Sequence, residues 1–253
     1  MILQFQHKSK TFEFDAQEGI DLSIPIQFSK ENLSAFGVGE PSKKAYRVEG
    51  FTGDVAQGGS CNCDVVQFIP HCHGTHTECV GHILDTAVYV PNIIRQDLFM
   101  SQVVTVTPES NFGITAKILD KTKHFENVSA LIIRTLPNEP TKKNQKYSSE
   151  ASYLTKDAVE WINDRNISHL LVDFPSIDPI QDGGKLEAHR TFWNLPLEQK
   201  KIDEQTWSHK TVTELIYVPS SVEDGFYILD LRTSNFMLDA VPSSPVIFPV
   251  RSK

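Results

Sequence analysis

The stretch "YLTKDAVEWINDRNISHLLVDFP", residues 153–175, decides the fold class of this chain. Its first half has apolar residues at helical spacing, and Thr155 is a candidate N-cap. These apolar residues are Leu154, Ala158, Trp161 and Ile162. Its second half, "HLLVDFP", is a short continuous apolar run, typical of a strand buried on both faces. A helix followed by a buried strand predicts an α/β unit.

Strand patterns surround this unit on both sides, so we expect a β-rich chain with a few helices. The polar stretch 138–153 breaks the periodicity and is predicted to be a surface segment, with a lid as its candidate role. The sequence has neither internal repeats nor a linker, which favours one domain over residues 1–253. The predicted strands lie in "IDLSIPIQF" (20–28), "DVVQFIPHCHGTH" (64–76), "SQVVTVTP" (101–108), "SALIIRT" (129–135), "TELIYVP" (213–219), "GFYILDLR" (225–232) and "SSPVIFPV" (243–250).

Composition excludes several classes of protein. The net charge of −8 disfavours a nucleic-acid partner, because phosphate binding needs a basic face. The N-terminal residues contain no apolar run long enough for a signal peptide, and no run is long enough to span a bilayer. We therefore expect a cytoplasmic protein with a small-molecule substrate and neither a nucleic-acid nor a membrane partner.

Ligand-type side chains are concentrated in "CHGTHTECVGH", residues 72–82. All 4 cysteines of the chain fall between residues 61 and 79, and several of its 9 histidines fall between 71 and 82. In a reducing cytosol such clustered cysteines indicate a metal site or buried thiols rather than disulfides. Cysteine, histidine and glutamate are also the side chains that bind zinc and similar ions.

The spacing of this stretch predicts which side chains face an ion. Since Pro70 precedes it and Gly74 lies inside it, we expect an extended segment rather than a helix. Alternate side chains of an extended segment share a face, which places Cys72, His76 and Glu78 together. Gly74 would then leave room for the ion.

On the same reasoning, His71 and His73 point to the opposite face. His82 lies beyond Gly81, where a bend would let its side chain return over the ion. Two other interpretations of the stretch remain: hydrogen-bonded histidines with buried thiols, or a structural zinc site. Structural zinc would use Cys61, Cys63, Cys72 and Cys79, but "CNC" has a shorter gap than the usual pair.

The stretch also resembles the H-x-G-T-H-x-D-x-P-x-H signature of the metal-dependent cyclase family, which includes bacterial kynurenine formamidase and isatin hydrolase. The resemblance covers nearly the whole chain in order and implies a compact mixed β/β/α fold of the swivelling type. It also implies assembly into a homodimer or homotetramer. Further matching segments are "DLSIPI" (21–26), "ALIIRT" (130–135), "DFPSIDP" (173–179), "LEAHR" (186–190) and "PVIFPVR" (245–251).

The resemblance implies a set of site residues in this chain. The catalytic histidine of the family falls on His82, and the Pro of the motif falls on Val80. Cys72 stands where the family usually has His, and Glu78 where it usually has Asp. A thiolate ligand biases the site toward zinc, with manganese as the alternative. The implied metal ligands are Cys72, His76, Glu78, His189 and Glu214.

The activity that the resemblance implies is metal-dependent hydrolysis of a C–N bond. The bond is that of an amide, formamide or cyclic amide in a small substrate, which can be aromatic. Metal-activated water would attack the carbonyl, and His82 would act as general acid and base. The alternatives are a lactone or ester hydrolase, a metal-dependent cyclase or dehydratase, and a metal-binding relative without turnover. Asp173 and Asp178 are either acceptors behind the ligands or turn residues.

Overall fold

A nine-stranded sheet forms the centre of the computed structural model, which describes residues 1–7, 10–94, 98–123 and 127–252. We number the strands of this sheet in chain order. They are β1 (Ile20–Asp21), β2 (His76–Cys79), β3 (Leu98–Val106), β4 (Ala130–Thr135), β5 (His169–Val172), β6 (Thr211–Glu214), β7 (Gly225–Asp230), β8 (Ala240–Pro242) and β9 (Val246–Pro249).

The spatial order of the strands is β8-β2-β6-β5-β4-β3-β7-β9-β1. The four central strands β3, β4, β5 and β6 run parallel, whereas their outer neighbours pair antiparallel. Every residue of β4 and β5 is buried, as expected for parallel strands covered on both faces. This confirms the prediction that "SALIIRT" and "HLLVDFP" contain buried strands.

The described residues form five α-helical segments beside the sheet. They are α1 (Pro70–His73), α2 (Val90–Ile93), α3 (Ala116–Leu119), α4 (Lys156–Asn163) and α5 (Glu187–Phe192). Short 3-10 segments lie at Val55–Gln57, Val80–Ile83 and Pro140–Asn144. The predicted helix is confirmed as α4, which precedes β5 and buries one apolar face. Thr155 occupies its N-cap position, although the Thr155 hydroxyl donates to the Ile114 carbonyl instead of capping the helix. The α/β class is therefore confirmed.

The central strands separate two apolar clusters. On one face, α4 and α5 pack over alternate residues of the strands, namely Val104, Leu131, Ile133, Leu170, Val172 and Val212. On the other face, the buried strand residues form a second cluster with Leu22, which follows β1, and Ile247 of β9. These strand residues are Val103, Ala130, Ile132 and Leu171. Successive side chains of a strand point to opposite faces of the sheet, which produces this division.

Smaller sheets surround the central one. One sheet has three strands, Ile2–His7, Lys10–Asp15 and Arg251–Ser252. The two-stranded pairs are Gly113–Ile114 with Tyr153–Leu154, Lys146–Tyr147 with Ser34–Ala35, Ser42–Ala45 with Asp64–Gln67, and Arg47–Val48 with Phe51–Thr52. Among the described helices, none is long and apolar enough to cross a membrane.

The polar segment 138–153 is anchored to the sheet rather than detached from it. Lys142 donates 2.8 Å hydrogen bonds to the Thr135 carbonyl and to Asp173 Oδ2. Tyr147 is buried, and its strand pairs with Ser34–Ala35. These contacts hold the segment across the carboxyl ends of β4 and β5.

Candidate metal centre

Strands β2 and β6 place three ligand-type side chains on one face of the sheet. In their antiparallel register Glu214 lies opposite His76, and Val212 lies opposite Glu78. His76 and Glu78 are two residues apart on β2, so their side chains share a face with that of Glu214. All three side chains are buried.

The segment before β2 is a helical turn, and the prediction of an extended chain there is wrong. Pro70 occupies the first turn of α1, and the amides of Cys72 and His73 donate to the Ile69 carbonyl at 3.0 and 3.2 Å. Successive side chains in a helix are rotated by about 100° rather than 180°. His71 consequently faces Glu78 and His82, and not the opposite side as the alternation predicted.

Gly74 and Thr75 join the motif to other parts of the chain. A Cβ on Gly74 would lie 2.8 Å from Ile26 Cγ1 and 2.9 Å from the Ile24 carbonyl oxygen. Glycine is therefore required here for close packing of two segments, and not for the ion space that we expected. The Thr75 hydroxyl accepts from the Ile24 amide at 2.7 Å and donates to the Leu215 carbonyl.

We call His76, Glu78, His189 and Glu214 the inner group. His76 Nε2 lies 3.3 Å from Glu214 Oε2. His189, on α5, directs its Nε2 atom toward Glu78 Oε1 at 2.6 Å and toward Glu214 Oε1 at 3.5 Å. One ligand atom each from His76, Glu78 and Glu214 lie within 4.8 Å of one another, close enough to bind one ion.

We call His71, Glu78, His82 and Asp239 the outer group, which shares Glu78 with the inner one. Ligand atoms of His71, Glu78 and His82 also lie within 4.8 Å of one another. Asp239 Oδ2 is 3.4 Å from His71 Nε2 and 3.6 Å from His82 Nδ1. The outer group is partly accessible, because the side chains of His71, His82 and Asp239 are 25%, 27% and 37% exposed.

The residues of the inner group fit a divalent ion. Three buried atoms of the inner group make no further hydrogen bond in the described chain: His76 Nε2, Glu78 Oε1 and His189 Nε2, the last two of which face each other at 2.6 Å. Buried polar atoms are normally paired, because leaving them unpaired costs free energy. Imidazole nitrogens and carboxylate oxygens are the donors that zinc and manganese accept. An ion would satisfy these atoms together.

Asp178 orients His189 from behind. Asp178 Oδ2 lies 2.6 Å from His189 Nδ1, and Asp178 Oδ1 accepts from the Ala188 amide at 2.7 Å. A carboxylate on Nδ1 fixes the ring so that Nε2 points into the inner group. Of the two roles open for Asp178, the structure shows the acceptor behind a ligand. Asp173 instead contacts Lys142 and Thr135, outside both groups.

The electrostatic environment of the cluster favours a negative charge on Glu78 and positive charges on His82 and His189. Burial by itself raises the pKa of Glu78, but the charges of His82 and His189 outweigh burial and hold this pKa below its usual value. Burial lowers the pKa of His189, yet the charge of Glu78 and the contact with Asp178 raise it well above the ordinary value. The pKa of His82 is also raised, because Glu78 outweighs burial.

Cys72 is buried beside the site but belongs to neither group. Burial, together with the charge of Glu214, raises the pKa of its thiol to about 11, which disfavours the thiolate that binds metals. The ligand role of Cys72 thus stays a prediction, whereas His71 contacts Glu78 and Asp239. His73 is already satisfied, since its Nδ1 accepts from the Ile69 amide and its Nε2 contacts the Gly39 carbonyl.

The structural-zinc interpretation has no geometric support in the described chain. Cys61 and Cys63 are exposed, whereas Cys72 and Cys79 are buried. Neither ligand group that the structure brings together includes a cysteine. The four thiols are therefore separate groups in two different environments.

The sequence analysis missed two residues of the outer group, His71 and Asp239. His71 was assigned to the opposite face because the helical turn was not recognised. Asp239 lies just before β8, which pairs with β2 so that Ala240 is opposite Glu78. The pairing of these distant segments brings Asp239 to the cluster. The sequence around Asp239 has no pattern of ligand-type residues.

One comparison with known proteins shows the family of this chain, and another shows its fold. The sequence profile of the Cyclase family, described as "Putative cyclase", matches residues 20–179. No curated protein sequence matches the chain significantly. Similar solved structures include a predicted metal-dependent hydrolase from Bacillus stearothermophilus, with a TM-score of 0.63 and 16% identity over 91% of this chain and 97% of that one.

Two isatin hydrolases are also similar in structure. One was solved with the product analogue thioisatinate, and it aligns with a TM-score of 0.61 and 12% identity over 92% of this chain and 93% of its own. Isatin hydrolase A from Labrenzia aggregata, bound to benzyl benzoate, aligns with a TM-score of 0.61 and 12% identity over 91% and 93%. At these identities the structural similarity establishes the fold.

Proposed function

This chain belongs to the Cyclase family, a family of metal-dependent hydrolases and cyclases, and on that premise we propose that it hydrolyses a C–N bond. The bond is that of an amide, formamide or cyclic amide in a small substrate. The observation that carries the proposal is the inner group, where buried imidazole and carboxylate groups converge within reach of one ion and His76 Nε2 makes no hydrogen bond. We propose zinc as the ion, with manganese as the alternative, because both accept this donor set.

His76, Glu78, His189 and Glu214 would hold the ion. When bound, it supplies Lewis-acid activation of water and of a substrate carbonyl. Asp178 keeps Nε2 of His189 directed inward, and the Ile177 amide, which donates to Glu214 Oε1 at 2.8 Å, orients the second carboxylate. Partners on the loop after β5 thus hold both of these buried ligands in position.

His82 is the proposed proton carrier. Its side chain is partly exposed at the mouth of the cluster, and its Nδ1 atom lies 3.8 Å from Glu78 Oε2. An imidazole titrates near neutral pH, so it can accept a proton from water and deliver it to the leaving nitrogen. The position of His82 in the family motif supports the same role.

The choice of a C–N bond is supported by the similarity to isatin hydrolases, which resemble this chain over most of its length. The family description favours a second candidate, a metal-dependent cyclisation or dehydration. Lactone and ester opening form a third class. Amide, lactone and ester opening all proceed by attack of water on a metal-activated carbonyl, so the substrate decides between them.

The test is a substrate panel with the metal-reconstituted chain. We expect turnover of an aryl formamide or a cyclic amide, loss of this turnover after chelation, and recovery on adding zinc or manganese. His82→Ala should retain the inner ion and lose about 10²–10⁴-fold in kcat, the usual contribution of a general acid or base. His73→Ala is a matched control, because its ring nitrogens contact only backbone atoms.

Two results would contradict the proposal. Hydrolysis of lactones or esters without any amide turnover would replace the C–N assignment. A metal-loaded chain that turns over none of the panel would indicate a binding protein of this fold.

A further inference from the structure

We propose that a cavity at the carboxyl ends of β3, β4 and β5 binds a small organic ammonium ion with an apolar body. The cavity has a volume of about 410 Å³, within the roughly 300–1,000 Å³ typical of small-molecule sites. None of its described lining residues belongs to the inner or the outer group. The site is therefore separate from the metal centre, and the proposal does not depend on the reaction there.

The position of the cavity follows from the topology of the sheet. Thr107, Leu136 and Asp173 directly follow β3, β4 and β5, and all three line the cavity. Since these strands run parallel, their carboxyl ends meet at one edge of the sheet. The loops after parallel strands carry the binding residues of many α/β proteins, so this edge is a suitable place for a ligand.

A second wall of the cavity is formed by the polar segment 138–153. Tyr147 and Glu150 of this segment line the cavity, and Lys142 joins the segment to the strand ends. Tyr147 is buried, and its strand pairs with Ser34–Ala35. Contacts within the chain thus hold this wall in place, and a ligand would lie between two anchored parts of the structure.

The hydrogen bonds of Lys142 exclude an anion as the preferred ligand. Lys142 is the only basic residue among the described residues that line the cavity, and an ammonium group has three protons to donate. All three are used, since Lys142 Nζ lies 2.8 Å from the Thr135 carbonyl, the Thr135 hydroxyl and Asp173 Oδ2. An anion would find no free cationic donor, and the charge of Asp173 is balanced by the same contact.

Two further carboxylates give the cavity an excess of negative charge. Glu109 and Glu150 both line it and are exposed. In the described parts of the chain neither side chain forms an ion pair or a hydrogen bond. A cleft lined by one sign of charge attracts the opposite charge, because its walls of low dielectric constant focus the field. The cavity therefore favours a cation.

Apolar side chains indicate that the cation is organic. Phe112 and Leu136 line the cavity and are 39% and 44% exposed, so they leave apolar surface for a ligand to cover. Covering such surface is favourable for a ligand with an apolar body and brings no gain to an inorganic ion. An aromatic ring such as that of Phe112 can also attract an ammonium group to its face.

The test uses benzyltrimethylammonium, because its nitrogen has a fixed charge and no lone pair with which to bind a metal. Calorimetry with the metal-loaded full-length chain should show saturable binding of this probe. 2-Phenylethanol lacks the charge and should bind about fivefold more weakly, since an exposed ion pair contributes up to this factor. Tetramethylammonium lacks the ring and should also bind more weakly than the probe.

Variants of the two carboxylates test which side chains recognise the charge. Glu109→Gln and Glu150→Gln should each weaken binding of the probe by about two- to fivefold. Glu139→Gln is the matched control, because Glu139 is an exposed residue of the segment 138–153 that does not line the cavity. Its affinity for the probe should equal that of the wild type.

Hydrogen exchange locates the bound probe. A ligand between the two walls should slow the exchange of amides in the segment 138–153 and in the loop after β3. The amides of residues 72–82 at the metal centre should exchange at an unchanged rate.

Three results would overturn the proposal. Absence of saturable binding would remove the site. Equal affinity of the probe for the wild type and for a chain with both Glu109→Gln and Glu150→Gln would show that these carboxylates do not recognise the charge. Slower exchange in residues 72–82 without protection of 138–153 would place the ligand at the metal centre instead.

Discussion

Two buried carboxylates lie at the carboxyl ends of neighbouring parallel strands, and their surroundings differ. Asp173 follows β5 and accepts from the Thr135 amide at 2.9 Å, the Thr135 hydroxyl at 2.8 Å and Lys142 Nζ at 2.8 Å. Glu214 ends β6, and its Oε2 atom faces His76 Nε2 at 3.3 Å, a nitrogen that has no hydrogen-bond partner.

The comparison shows that burial of a charge does not identify a functional site. The Asp173 carboxylate is already paired with a cation and two donors of the chain, so it needs no further group. Glu214 in the metal centre instead faces His76 Nε2, a buried nitrogen that makes no hydrogen bond in the described chain, so this cluster has room for a further group. The partners of a buried charge, more than its burial, separate the structural role from the ligand role.

Among substitutions of the buried carboxylates, we expect Glu78→Gln to have the largest effect, a loss of metal affinity. Glu78 contributes to both ligand groups, so the amide should reduce metal affinity by more than the roughly 10–100-fold typical of residues behind the ligands. Metal content after gel filtration measures the loss. Glu187→Gln, on the exposed side of α5, is the control and should retain the metal. Full metal content in Glu78→Gln would exclude Glu78 as a ligand.

Asp173→Asn should show the opposite behaviour. We expect the free energy of unfolding to fall by about 3 kcal/mol, because Lys142 is left with an unpaired and mostly buried charge. The metal content should not change. Urea unfolding measures the first quantity and elemental analysis the second.

An exposed ion pair provides the control for Asp173→Asn. Lys43 and Asp64 lie 3.2 Å apart on the surface, so Asp64→Asn should change stability by less than about 1 kcal/mol. If Asp173→Asn instead lost the metal at unchanged stability, the structural role assigned to this carboxylate would be wrong.

Asp178→Asn tests a carboxylate that lies between the two cases. It is hydrogen-bonded like Asp173, but its partner His189 belongs to the inner group. We expect metal affinity to fall by about 10–100-fold, the usual effect of removing the acceptor behind a histidine ligand. Asp182→Asn removes one of the two oxygens that accept from the Gly184 and Leu186 amides in the same loop, and it should leave the affinity unchanged. Equal affinities in the two variants would contradict the orienting role.

The smallest expected effect concerns His169, at the other end of β5 from Asp173. Burial, with a small contribution from the charge of His209, lowers its pKa to about 4, whereas the unfolded value is about 6.5. Between these values the unfolded chain binds the extra proton, so stability falls as the pH drops from 6.5 toward 4. At pH 5.5 the loss should be about 1 kcal/mol.

Urea midpoints of the metal-loaded protein at pH 7.5 and 5.5 measure this loss. His169→Gln cannot titrate in this range and should lose less stability between the two values. The Thr211 hydroxyl, which lies 2.8 Å from His169 Nδ1, remains available to the amide. An identical pH dependence in the variant would assign the acid sensitivity to other groups.

Much of the fold could be predicted because its signals are local. The runs in β4 and β5 and the apolar face of α4 follow from side-chain periods that a few neighbouring residues define. The helical turn of α1 could not be predicted from the sequence, because four residues cannot form a stable helix by themselves. Packing of α1 against the segments that contain Asn32 and Ile24 supports the turn, and those contacts are distant in sequence.

The fold class, the family and the ligand-rich stretch "CHGTHTECVGH" could be recognised without a structure. They depend on residue chemistry and short-range spacing. The three-dimensional structure was needed to show that His71 faces the cluster and that Asp178 orients His189. It was also needed to show that Asp239 contacts His71 in the outer group. The physical reason is that side-chain direction follows backbone conformation. The approach of residues 71, 189 and 239 to Glu78 also depends on strand pairing between segments far apart in the chain.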